Sequence, residues 1–238
     1  MPLPKISTPS YHLTLPSTGK EIKYRPFLVR EEKLLVLALE SEDIKQITEA
    51  IKTVIKNCII TRGIKVETLP SFDIEYLFLN IRGKSVGEEI EVNIICPDDG
   101  ETTVSFKINI DEIEVKKFDG HDKKIKVDDE VMIEMKYPSL DQFIKNNFDF
   151  STPDMDQAFD LISSCIDKIY TEDEVWSTSD VTKKEINEFL DQFNSLQFQK
   201  IETFFETMPK LSHKISVTNP KTKVESEVIL EGLSSFFV

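Results

Sequence analysis

Apolar residues change their spacing several times along this chain, and those changes limit its fold more than any other feature. Ile44, Ile47, Ile51, Val54, Ile55 and Cys58 form one stripe at helical spacing, as a helix with one buried face requires. From Glu88 the period becomes two. Ile90, Val92 and Ile94 alternate with polar residues, Pro97-Asp98-Asp99-Gly100 makes a turn, and Val104, Phe106 and Ile108 return. That is the pattern of a β-hairpin. A first hairpin precedes it around Pro16-Ser17-Thr18-Gly19. A last one joins Ile215 and Val217 to Val224, Val228 and Leu230 through Asn219-Pro220-Lys221-Thr222. Hairpins segregated from helices, with no βαβ alternation, define an α+β chain.

Other helices follow from the same reasoning. Arg30 to Glu40 carries an almost wholly apolar run. Ser41 is expected to cap the next helix, with Glu42 and Asp43 in its first turn. A third helix starts after Pro70-Ser71 and is expected to stop at Gly83. Further on, Ser151 or Asp154 caps a helix bearing Phe159, Ile162, Cys165, Ile166 and Ile169. Thr182 and Glu185 form a capping-box pair before Ile186 and Phe189, and Pro209 ends a helix with Phe198, Ile201, Phe204 and Phe205. Lys116 to Asp129 reads as charged, with a turn or exposed loop at Asp119-Gly120-His121-Asp122 and a further strand after it at Glu130 to Tyr137.

Two parts are expected, residues 1–137 (hairpin, helices and central β region) and 138–238 (helices, then a hairpin), with a shared core left open. Phe72 to Glu114 and Phe198 to Phe237 share an order of aromatic helix, hairpin and an Ile-x-x-Ile or Leu-x-x-Leu ending. A duplicated helix–hairpin unit is one reading of this, and two ordinary hairpins are the other.

The chemistry of the chain is sparse. Its 43 acidic against 29 basic residues give a net charge of −14. Such a surface repels phosphate backbones and disfavours nucleic-acid binding. Cys58, Cys96 and Cys165 lack paired spacing, which points to a reducing compartment rather than a disulfide framework. No apolar run approaches a membrane span or a signal peptide, so a cytoplasmic protein is expected. Cys96-Pro97-Asp98-Asp99-Gly100 looks like one knuckle of a zinc ribbon, but Asp99 stands at the second sulfur position. The matching hairpin offers Asn219 and Thr222 instead of thiolates. A structural zinc site needs four deprotonated ligands, so the expectation is a ribbon-shaped pair that works without metal. His12, His121 and His213 are isolated, no nucleophile elbow is present, and 7 Gly include no phosphate loop. No catalytic residue, cofactor or metal ligand is assigned. The candidate partner contacts are Leu15, Pro16 and Ser17 near one end and Phe236, Phe237 and Val238 at the other. Exposed aromatics are frequent anchors, and a tied-down chain end must dock somewhere.

Several segments, in order, resemble the T4-like phage baseplate hub protein family. They are Leu15-Pro16-Ser17-Thr18-Gly19-Lys20, Tyr24-Arg25-Pro26-Phe27-Leu28-Val29, Thr207-Met208-Pro209-Lys210 and Leu230-Glu231-Gly232-Leu233-Ser234-Ser235-Phe236-Phe237. The resemblance implies a non-enzymatic role in building the hub of a contractile tail, as a hub subunit or an assembly factor. It implies other hub or tail-tube proteins as partners, and a place in the infected host's cytoplasm or in the virion. A permanent structural subunit is the alternative, and a ribbon-like metal or nucleic-acid regulator is a weaker one. Self-association is left undetermined.

Overall fold

The computed structural model describes residues 6–41, 43–142 and 155–236. It is a mixed α+β structure of small antiparallel sheets and helices. Strands β1 (Tyr11–Thr14) and β2 (Glu21–Tyr24) pair with Leu13 opposite Ile22. Their turn closes at Gly19, whose φ of 68° lies in the left-handed region that glycine adopts without penalty. The Ser17 amide and hydroxyl in this turn both donate to Asp73. Asp73 is fully buried in the first turn of α3 (Ser71–Val86), so the hairpin tip is pinned to that helix. Burial pushes its carboxyl pKa up, and the Ser17 hydrogen bonds oppose the rise.

Helix α1 (Val29–Glu40) follows, then α2 (Ile44–Cys58). The cap of α2 is Asp43, whose carboxylate accepts from the Lys45 amide at 2.8 Å. Ser41 instead ends α1, its hydroxyl donating to the Ala38 carbonyl. The expected cap was therefore two residues early, because Ser41 satisfies the helix before it. The stripe Ile47, Ile51, Val54, Ile55 and Cys58 is buried as its period requires. Helix α3 runs past Gly83 to Val86. Gly83 serves packing rather than termination: a Cβ there would come within 2.8 Å of the Ile110 side chain. The stop falls at Gly87, with φ 135°.

Strands β3 (Glu89–Ile95) and β4 (Thr103–Asn109) pair with Ile90 opposite Ile108 and Val92 opposite Phe106. A 3-10 turn, Ile110–Glu112, leads into β5 (Glu114–Lys116). That short strand pairs with β10 (Lys210–Thr218), which also pairs with β11 (Glu225–Glu231). The C-terminal hairpin thus joins the N-terminal elements in one core, which includes Leu15, Ile22, Tyr24, Ile55, Leu77, Leu211, Ile215 and Phe236.

The intervening chain builds another core. Strands β6 (Lys124–Lys126), β7 (Met132–Met135), β8 (Ile166–Tyr170) and β9 (Val175–Ser177) form an antiparallel meander. Helices α4 (Met155–Cys165), α5 (Lys183–Leu190) and α6 (Ser195–Thr207) cover it. Ile166 and Ile169, expected on a helix, lie on β8. A spacing of three suits a helix and would put the two on opposite faces of a regular strand, but a register shift in the pairing with β7 at Glu134/Met135 lets both be buried on β8. The Thr182–Glu185 capping box forms as expected. The proposed caps Ser151 and Asp154 lie outside the described residues. The order helix, hairpin, 3-10 turn recurs at α3–β4 and at α6–β11.

The two cores meet through aromatic rings. Tyr137 stacks on Phe204 (5.7 Å between centroids) and on His121 (5.7 Å), and meets Phe72 edge-on at 5.0 Å. The expected turn at Asp119-Gly120 forms, but His121 folds back and is only partly exposed.

Candidate protein-docking surface

Helix α1 carries more apolar residues than its packing uses. Glu31, Leu35 and Ala38 share its inner face, with Glu31 and Ala38 buried. Val29 (65% exposed), Val36 (48%), Leu37 (65%) and Leu39 (48%) face outward. Burying one such side chain is worth about 1.5–3 kcal/mol. A helix that leaves four of them wet is a candidate docking surface. The helix is held rigidly from its start. The buried Glu31 carboxylate accepts from Arg25 (3.0 Å), Arg30 (2.8 Å) and the Leu28 amide (2.8 Å). Burial alone would raise its pKa, but these bonds outweigh that and hold it at about 2. The sequence showed this apolar run without showing which side chains would stay outside.

The tips of the second and last hairpins clasp one another. Asn219, 1% exposed, donates through Nδ2 to both Asp98 oxygens (3.0 Å each) and to Asp99 (2.9 Å). Thr222 donates to Asp98. Asp99 also accepts from the Thr102 amide and hydroxyl. Hydrogen bonds from Thr222 and then Asn219 lower the Asp98 pKa, and those from Thr102 hold Asp99 well below the usual carboxylate range. The ribbon-like positions are thus joined by an amide between two carboxylates. Among the described residues no group of three or more His, Cys, Asp and Glu side chains could hold a metal ion.

The residues singled out as partner contacts lie mostly inside. Leu15 and Phe236 are buried in the first core, Ser17 is spent on Asp73, and Pro16 is half-buried. Phe237 and Val238 lie outside the described residues. The structure brings Leu15 and Phe236 into one core although they stand near opposite ends of the chain.

No catalytic constellation gathers among the described residues. Burial pushes the Cys58 thiol up to about 11 and the Cys165 thiol up to about 12, far from nucleophilic thiolates. Ser163 and Ser164 donate to helix carbonyls rather than to a base. His12 pairs with the exposed Glu21, and His213 bonds the Glu112 carbonyl. No described helix is long and apolar enough to cross a membrane.

A family model described as T4 bacteriophage base plate protein matches residues 8–238. The chain belongs to the T4 bacteriophage base plate protein family. The match spans both cores and the C-terminal hairpin that closes the first. Members are structural parts of the baseplate and are usually not enzymes. For this baseplate protein, no curated protein and no solved structure gives a significant match.

Proposed function

We propose that this baseplate protein is a non-enzymatic component of hub assembly in a contractile phage tail. It acts as a hub subunit or hub assembly factor, docking onto other hub or tail-tube proteins in the cytoplasm of the infected host. The observation that carries this reading is the family match over residues 8–238. It is supported by the wet apolar side of α1. The net charge of −14 adds an electrostatic preference for basic partner surfaces over phosphate backbones.

Quantitative mass spectrometry of hub intermediates and purified particles tests it. The protein is expected to co-fractionate with hub or tail-tube proteins. A fixed ratio in the particle assigns a permanent subunit, and presence only in intermediates assigns an assembly factor. Co-fractionation with neither hub nor tube would overturn the reading.

A further inference from the structure

We infer that the outer side of α1 pairs with α1 of a second copy of this chain, antiparallel about the midpoint between Val36 and Leu37. Five residues fall within an arc of about 100° opposite the packed side of the helix, given 3.6 residues per turn. They are Val29, Lys33, Val36, Leu37 and Glu40, all exposed. Their order is what selects the occupant. About that midpoint, Lys33 lies opposite Glu40 of the second copy and Val36 opposite Leu37 of the second copy. This ionic contact occurs twice by symmetry, and the apolar residues meet at the axis. A parallel pairing would instead set Lys33 on Lys33 and Glu40 on Glu40. Lys33 and Glu40 make no ion pair of their own among the described residues, so each is available across such an interface.

The geometry is that of a two-fold interface, in which one patch complements itself. Because one short helix supplies it, the contact is smaller than a standard interface and its affinity is on the order of micromolar. Net charge of −14 on each copy opposes association at low ionic strength. At about 0.15 M salt the Debye length is near 8 Å and that repulsion is largely screened. The inference concerns only this helix and does not depend on the baseplate reading.

Sedimentation equilibrium of the full chain tests it, with circular dichroism confirming the fold of every variant. The wild type should dimerise at up to roughly 100 µM, and Leu37→Glu should be monomeric. Lys33→Glu and Glu40→Lys should each weaken the dimer by about tenfold. The double variant Lys33→Glu/Glu40→Lys should restore it, because the exchange re-creates each cross pair. A wild type that stays monomeric would overturn the inference, including the case where α1 variants lose a different partner. A dimer indifferent to the single charge reversals, or not rescued by the double, would overturn it equally.

Discussion

The second core draws on residues between Ile125 and Phe204, a stretch in which Leu140 packs into the first core, whereas the first takes most of its residues from both ends. In the second, each strand of the meander pairs with its neighbour in sequence. In the first, closure depends on β5 meeting β10, with Val115 opposite Leu211 across the whole intervening region. Contacts so distant in sequence carry a larger loop-closure cost and form more slowly than local ones. The difference teaches that the last hairpin is a keystone of the N-terminal structure. The single Trp176, on β9, gives the second region its own fluorescent reporter.

The largest expected effect comes from Leu211→Ala. Leu211 is fully buried where the closing strands meet, and the truncation should cost about 2–5 kcal/mol. Thermal unfolding followed by circular dichroism should shift more than the Trp176 transition. Ile201→Ala, fully buried in the second core, should move the Trp176 signal first. Coincident shifts in both variants would break the comparison and make the molecule one cooperative unit.

Next comes Glu31→Gln, which loosens the start of α1. A folded pKa of about 2 against an ordinary 4.5 means the ionised form stabilises the native state above about pH 4.5. That contribution fades as pH falls toward 2. Allowing for the exposed Arg30, the substitution should cost about 2 kcal/mol at neutral pH. Denaturant titrations at several pH values should show the gap to wild type closing in acid.

Asn219→Ala should destabilise less than Leu211→Ala. It leaves Asp98 and Asp99 beside each other without the amide between them. Raising the salt concentration should recover part of the loss, since the exposed Asp98 and the half-buried Asp99 then repel less. A loss that is insensitive to salt would assign the clasp to packing alone.

The smallest effect is expected at the junction of the cores. His121 bonds Thr207 through Nδ1 (2.9 Å) and Tyr137 through Nε2 (3.1 Å). Burial lowers its pKa below the usual histidine value, so the unfolded chain takes up a proton first as pH falls. Stability should therefore decline below about pH 6.5, and His121→Phe should remove that part of the slope in a series of melts.

Much of this architecture was legible in the sequence. Period-two runs marked the hairpins, and the Ile47–Cys58 stripe and the Thr182–Glu185 box marked helices through local rules. Tertiary pairing decided what those rules could not reach. Ile166 and Ile169 became strand because β7 offered a partner, and β5 is short enough to be invisible without β10. Leu15 and Phe236 looked like candidate anchors, yet each fills the first core, a placement set by contacts between chain ends. The wet side of α1 was present as an apolar run. Only the packing of Leu35 and Ala38 against the body of the molecule showed which side chains remain outside.

The most direct measurement is electron microscopy of lysates from phage in which this gene is disrupted, beside lysates complemented in trans. A hub-assembly role predicts filled heads without completed baseplates or tails, restored by complementation. Normal baseplates and tails in the disrupted phage would contradict the account.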